Sequence, residues 1–222
     1  MIIILEQEQM KLNRIFLLAF SLWLSASPLV AQKDRQARKV LDQTVATLQQ
    51  GGGIYATFIG SSEGTLQLKG DRFYLNSNGI QSWFDGKTQW SYVENSEEVN
   101  ITNPTPEELQ TLHPMALLSL YRHGYNYRYN GTQPYDGQTA HVITLTPEAT
   151  PKPGQPGGQP NIQRITVLIS QQNLPLYIKM EPKHGPAQEF MVTSCQLHQS
   201  LNDATFTFDR KKYPNAEVID LR

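Results

Sequence analysis

The chain has 222 residues, of which 39% are hydrophobic and 18% charged, with a formal net charge of −1 at pH 7. This balance is typical of a globular domain, and it gives no electrostatic reason to expect binding to nucleic acid or to an anionic membrane. The single cysteine, Cys195, excludes an intramolecular disulfide and a cysteine-based metal cluster.

An export signal is predicted over residues 1–31. A basic segment around Lys11 is followed by an apolar run at positions 15–24, which has the length of a signal-peptide core and is short for a membrane span. Acidic residues before the basic segment do not fit this pattern and favour Met10 as the true start.

The mature chain, residues 32–222, is expected to form one domain, mainly of β-strands. Positions 34–50 carry apolar side chains on one stripe, which predicts an amphipathic helix ending at Gly51. From there on, roughly ten short segments of alternating polarity predict a meander of strands. The proline- and glycine-rich stretch 147–160 is predicted to be a long, mobile hairpin tip between two of these strands.

The middle of the chain carries a hairpin signal. Asp85 and Gly86 lie between two apolar runs, which predicts a tight hairpin with a type I′ turn. On the second arm, Trp90 and Tyr92 are expected to share one face of the sheet.

Two short helices are predicted after this hairpin. Thr105 and Glu108 have the spacing of a capping box, which predicts a helix start and a first helix reaching about Leu112. A second, apolar helix is predicted over 115–121. Alternation alone fits either a β-sandwich or a strongly curved sheet, and the helices favour a curved sheet with helices on its concave side.

No catalytic or metal-binding arrangement is evident, and the chain is predicted not to be an enzyme. The five histidines are scattered, with no pair at metal-ligand spacing. Asp85 has the position of a turn residue, and Cys195 lies in a strand pattern typical of a buried structural thiol.

Bulky apolar side chains are more numerous than one small sheet needs. They form either a filled core or a concave pocket that the helical segment closes when no ligand is bound. The candidate ligand-binding residues on the strands and the second helix are Phe73, Leu75, Trp90, Tyr92, Leu117, Leu118 and Tyr121.

The run FDGKTQWSY, the helical segment NPTPEELQTLHPMALLSLY and the later VITLTPEA and TFTF resemble the LolA family. The resemblance covers roughly residues 37–213. It implies an unclosed antiparallel β half-barrel with a helical lid over a hydrophobic cavity. It also implies a carrier in the periplasm, without a cofactor, that moves lipoproteins from the inner to the outer membrane.

The resemblance also assigns individual roles. Phe73 takes the place of a sheet phenylalanine that contacts the lipid, and Lys69 takes the place of an arginine that latches the lid through hydrogen bonds. The implied partners are triacylated lipoproteins, an inner-membrane ABC-type extractor and an outer-membrane acceptor, and the carrier is expected to be a monomer. Two alternatives stay open: a lipid-binding sensor or adaptor, and an enzyme with Glu94 or Arg128 facing the cavity.

Overall fold

The computed structural model describes residues 34–105, 108–109, 120–122, 124–148 and 161–222. The predicted signal sequence, most of the two short helices and most of the predicted hairpin tip lie outside these ranges, and those predictions stay predictions. Within the described ranges, no helix combines the length and the hydropathy needed to cross a bilayer.

The described residues include a long α-helix, one sheet, three short 3-10 helices and the helical residues Glu108 and Leu109. Helix α1 spans Arg35–Gln50 and the 3-10 helices span Leu120–Arg122, Asp203–Phe206 and Arg210–Lys212. The strands are β1 Gly53–Gly60, β2 Gly64–Lys69, β3 Arg72–Ser77, β4 Ile80–Phe84, β5 Gln89–Val93, β6 Glu98–Thr102, β7 Tyr125–Tyr135, β8 Gln138–Pro147, β9 Ile162–Ser170, β10 Pro175–Pro182, β11 Gln188–Gln199 and β12 Glu217–Asp220.

All twelve strands belong to a single open sheet in the order β12-β6-β5-β4-β3-β2-β1-β11-β10-β9-β8-β7. Every neighbouring pair is antiparallel except β12 and β6, which are parallel. The prediction of a mainly-β, unclosed curved sheet is confirmed, and the sandwich is ruled out. The sheet has twelve strands, compared with the roughly ten that were predicted, and β12 is short and mostly exposed.

Helix α1 lies across one face of the sheet, as its apolar stripe predicts. Ala37, Leu41 and Val45 are among its buried residues. At its start, Asp34 is the N-cap and accepts hydrogen bonds from the amides of Gln36 (2.8 Å) and Ala37 (3.2 Å). The predicted end is also confirmed, because Gly51 is the C-cap.

The packing of α1 requires the sheet to bend. Phe84 of β4 and Ile143 of β8 belong to the same buried cluster as α1, yet these two strands are seven positions apart in the sheet order. At about 4.8 Å between neighbouring strands, a flat sheet would separate them by about 34 Å. The face that carries α1 is therefore concave, and we call it the inner face.

The central hairpin differs from the prediction in its turn. Phe84 pairs with Gln89, so four residues connect the strands instead of two. Only Gly86 has a positive φ in this turn, at 102°. The type I′ prediction is wrong because the Asp85 carboxylate accepts the amides of Lys87 and Thr88, both at 2.8 Å, and this stabilises a wider turn.

The connection between β6 and β7 joins the two ends of the sheet, because β6 is next to one edge and β7 forms the other. The predicted capping box is present at its start. The Thr105 amide donates to Glu108 Oε2 (2.8 Å), and the Glu108 amide donates to Thr105 Oγ1 (3.3 Å). The Thr105 amide and hydroxyl both donate to Glu108 Oε2, and these two bonds hold the pKa of the Glu108 carboxyl below its ordinary value.

Asp34 also fastens α1 to the edge of the sheet. Its Oδ2 accepts the Tyr129 amide of β7 at 2.9 Å, and this bond is the main reason why the pKa of the Asp34 carboxyl lies below its ordinary value of 3.8. Because folding lowers this pKa, the stabilisation is complete above the ordinary value and is lost as the pH falls through the lower, folded value.

We expect Asp34→Ala to lower the free energy of unfolding at pH 7 by about 2 kcal/mol, because it removes a helix cap and a bond to the sheet edge. Urea titration measures this loss. The matched control is Asp209→Ala, which removes an exposed cap of a 3-10 helix and should cost about 0.5 kcal/mol. Equal losses in the two variants would contradict the assigned role of Asp34.

Candidate ligand-binding surface

Part of the inner face is apolar but only half-buried. The register places Leu75 beside Leu66, Phe58 beside Val192, and Ile178 beside Phe190. These side chains extend over five consecutive strands, β10-β11-β1-β2-β3. We call the set the inner apolar surface, and it consists of Phe58, Leu66, Leu75, Ile178, Phe190 and Val192.

The inner apolar surface continues the buried core. Leu66, Leu75 and Ile178 pack against the core cluster and remain partly exposed, and the rings of Phe58 and Phe190 meet edge to face at a centroid distance of 6.0 Å. A contiguous apolar area of this kind on a concave face is the usual lining of a site for an apolar ligand.

Phe73 belongs to the core under this surface. Its side chain is 1% exposed, and its ring lies 5.6 Å from that of Phe84. Phe73 and Leu75 lie on the same inner face because they are two residues apart on β3. Leu75 is therefore the more accessible of these two predicted residues.

Trp90 and Tyr92 share a face, as predicted, but it is the outer face. Phe73 pairs with Phe84, whereas the next residue, Tyr74, pairs with Trp83, and Trp83 pairs with Trp90. Since neighbouring residues of a strand point to opposite sides, Trp90 lies on the face opposite Phe73. The structure therefore does not bring the four predicted strand residues together in one site.

The outer aromatic residues are covered by residues 200–222, which follow β11 and which we call the C-terminal segment. The Tyr213 ring lies 4.6 Å from that of Tyr92 and 5.8 Å from that of Trp83, and the Phe208 ring lies 5.5 Å from that of Trp83. Together with the buried Val99 and Ala216 these side chains form a second, smaller core. Their arrangement is that of a packed layer under the chain's own C-terminus.

Lys69 also lies on the outer face and contacts the C-terminal segment. Its ammonium donates to the Leu201 carbonyl (2.8 Å) and contacts the Asp203 carboxylate (3.2 Å), which Arg72 also approaches (2.8 Å). These two cations hold the pKa of the Asp203 carboxyl below its ordinary value. The latch that the resemblance assigns to Lys69 stays a prediction, since most of the expected lid lies outside the described residues.

The remaining predicted residues lie in the connection between β6 and β7. Leu117 and Leu118 are outside the described residues. Tyr121 is 2% exposed, and its ring packs edge to face against Tyr127 at 5.9 Å within the core that includes α1. Tyr121 therefore contacts the inner side of the molecule near β7.

The enzyme alternative depends on Glu94 and Arg128. Glu94 is exposed and accepts a hydrogen bond from Gln81 of the outer face (3.2 Å), and Arg128 alternates with the inner residues Tyr127 and Tyr129. Neither residue that the enzyme alternative requires faces the inner side. Among the described residues, no three His, Cys, Asp or Glu side chains come together as metal ligands.

An open depression of about 450 Å³ lies at the ends of β1 to β3. Its lining is largely polar and includes Thr57, Thr65, Asn76 and Thr193. These hydroxyl and amide groups do not suit an acyl chain.

Sequence reasoning did not identify most of the inner apolar surface. Phe58, Ile178 and Phe190 each lie in a strand whose alternation was recognised. The pattern did not show which side of each strand would face the helix, because apolar residues occur on both sides. The bulge between Thr57 and Phe58 in the pairing with β11 also shifts the register there.

An open sheet bent around a helix, with half-buried apolar side chains on its inner face, defines the half-barrel class of binding proteins. A family model described as outer membrane lipoprotein carrier protein LolA matches residues 27–145, more than half of the chain. The chain belongs to this LolA-like family, and the resemblance read from the sequence is confirmed.

One solved structure shows the same fold in another protein. The chain is similar to an uncharacterised conserved protein from Thermus thermophilus, with a TM-score of 0.56 and 13% identity over 84% of this chain and 99% of that one. It is also similar to the lipoprotein LppX of Mycobacterium tuberculosis, with a TM-score of 0.41 and 15% identity over 74% and 98% of the two chains. No curated protein matches the sequence significantly. At 13% identity the likeness to the Thermus protein shows the fold alone.

A test of the Lys69 contacts follows from this geometry. We expect Lys69→Met to lower the free energy of unfolding by about 1 kcal/mol, because it removes a charged donor while keeping an apolar side chain of similar length. Hydrogen–deuterium exchange should become faster in residues 201–206. The control is Lys87→Met at the exposed central turn. Faster exchange confined to residues 105–122 would instead support the lid latch.

Proposed function

We propose that the protein is a periplasmic carrier that binds the acyl chains of lipoproteins on its inner apolar surface and moves them from the inner to the outer membrane. The observation that carries this proposal is the half-buried inner apolar surface on the concave face of a LolA-like sheet. The predicted export signal agrees with a periplasmic location. The proposed partners are triacylated lipoproteins, an inner-membrane ABC-type extractor and an outer-membrane acceptor.

The energetics of acyl chains favour a carrier of this design. Each methylene group removed from water contributes about 0.8 kcal/mol, so one chain of ordinary length contributes about 10 kcal/mol gross. An acylated protein therefore needs an apolar partner in an aqueous compartment. Because a carrier must also release its cargo, the net affinity has to be much smaller than this gross value, and part of the binding energy must be offset by a change in the protein.

The inner apolar surface supplies contacts of the required kind. Leu66 and Leu75 pair across β2 and β3, and Phe58 and Phe190 extend the same face across β1 and β11. Their half-exposed side chains would be covered by an acyl chain, which removes apolar area from both partners. Binding of this kind needs no covalent chemistry, in agreement with a family described as a carrier.

Two neighbouring residues of β3 provide the test of acyl binding. We expect Leu75→Glu in the mature protein to weaken binding of an environment-sensitive fluorescent fatty acid at least tenfold, because the ligand would desolvate a carboxylate on the inner face. Asn76→Glu introduces the same charge on the outer face and should leave the affinity within about twofold of the wild type. Phe73 is unsuitable, since a glutamate there would be buried in the core.

Thermal unfolding of both variants checks that the fold is retained. A wild-type protein that binds no probe, or an equal loss of affinity in the two variants, would contradict the proposed site. A wild-type protein that binds no probe would instead fit a sensor or adaptor domain with a filled interior and no lipid cargo.

The cargo itself is tested by mass spectrometry of the protein purified from its native compartment. We expect triacylated lipoproteins to co-purify with the wild-type protein and to be reduced with the Leu75→Glu variant. Recovery of free lipids alone would contradict lipoprotein transport while leaving acyl binding in place.

A further inference from the structure

The inner face changes from apolar to polar at β4. Leu75, the member of the inner apolar surface on β3, pairs with Ser82 of β4. Ser82 pairs with Ser91 of β5, and Ser91 pairs with Asn100 of β6. Because directly paired residues point to the same side of a sheet, these three polar side chains lie on the inner face beside Leu75. We call Ser82, Ser91 and Asn100 the inner polar row.

The inner polar row has hydrogen-bonding capacity that the protein itself does not use. Ser82 is buried, whereas Ser91 and Asn100 are half-buried. The hydroxyls of Ser82 and Ser91 lie 3.3 Å apart, and their mutual bond uses one of two hydroxyl hydrogens. Among the described residues, none makes a hydrogen bond with the Asn100 side chain. Its NH2 group can therefore donate to a ligand on the inner face.

The charges around the row favour an uncharged ligand group. Lys69 and Arg72 are the only basic residues of β1 to β6, six strands that the structure describes in full, and both contact Asp203 on the outer face. Glu98 is two residues from Asn100 on β6 and half-buried on the same inner face. A carboxylate or phosphate would thus meet no cation here and would approach Glu98. The donors of the row suit an ester carbonyl oxygen instead.

The position of the row fits the end of an acyl chain. At its β10 end, the inner apolar surface adjoins buried core residues, because Ile178 pairs with Val167 and Val167 pairs with Ile143. At its β3 end, the same surface adjoins the inner polar row. An acyl chain that lies across the surface therefore finds partners for its ester carbonyl at the β4 side.

We propose that the inner polar row binds the ester end of an acyl chain, with Asn100 as the main donor, and selects the uncharged diacylglyceryl group of a lipoprotein over free fatty acids and anionic phospholipids. This inference rests on the proposed function, since it concerns the head of a ligand whose chains lie on the inner apolar surface. Asn100 and Ser91 are specificity-determining residues in this arrangement.

The experiment compares a fluorescent fatty acid with the monoacylglycerol that carries the same labelled chain. In the wild type we expect the monoacylglycerol to bind about fivefold more tightly, the factor that one neutral hydrogen bond contributes to an equilibrium. Asn100→Leu removes the amide at similar volume and should abolish this preference. Asn76→Leu makes the same change on the outer face and should leave the preference unchanged.

A second variant supplies the cation that the inner face of β1 to β6 lacks. We expect Ser91→Lys to strengthen binding of the fatty acid about fivefold, because its carboxylate then has a charged hydrogen-bond donor. The control is Asn76→Lys, which adds the same charge to the outer face and should not change fatty acid binding. Thermal unfolding of all variants checks that the fold is retained.

A diacylglyceryl-cysteine peptide with the same labelled chain tests the source of the head group. Weaker binding of this peptide by Asn100→Leu would support a lipoprotein, whereas a loss limited to the monoacylglycerol would overturn it. An unchanged preference in Asn100→Leu, an equal change in Asn76→Leu, or no gain in Ser91→Lys would each overturn the role of the row, while binding of both chain probes by the wild type keeps the acyl site. Absence of binding of every probe by the wild type would overturn the proposed function and this inference together.

Discussion

One helix packed against two distant parts of the same sheet is the constraint on which the architecture depends. The buried stripe of α1 collects side chains from β4 on one side and β8 on the other into one cluster, and a flat sheet cannot do this. Bending around the helix gives the two faces different environments. The inner face provides a concave apolar surface, whereas the outer face needs its own cover, which the C-terminal segment supplies over Trp83 and Tyr92.

The strand pattern predicted which residues share a face but not which face carries the site. Phe73 with Leu75, and Trp90 with Tyr92, follow the alternation of their strands. Both pairs are bulky and apolar, so the sequence makes either face a possible interior. The choice depends on Phe208 and Tyr213, which contact Trp83 and Tyr92 on the outer face from the far end of the chain. The alternation of residues along one strand does not predict packing against residues so far away in the sequence.

Some predictions rest on hydrogen bonds between one side chain and the amides next to it. They were confirmed where only one backbone geometry can form those bonds. The capping box at Thr105 and Glu108 formed as predicted, because its two bonds require the spacing of a helix start. Asp85 was harder to interpret, since an Asp-Gly pair fits several turn types and its carboxylate selected the wider one. The LolA-like family was recognised because its motifs combine such local signals over most of the chain.

Lys69 and Tyr121, two of the residues predicted from the sequence, make structural contacts on opposite sides of the sheet. On the outer face, Lys69 contacts the C-terminal segment through the Leu201 carbonyl and Asp203, so its charge is already used in structural bonds. On the inner side, the contact between the connection and α1 is made by Tyr121 and Asp42. A carrier needs a small free-energy difference between its empty and loaded states. Each acyl chain contributes far more binding energy than a reversible complex can have. A substitution on the half-buried inner apolar surface can change that free-energy difference while leaving the core in place, whereas a change in the buried core would alter the stability of the whole fold.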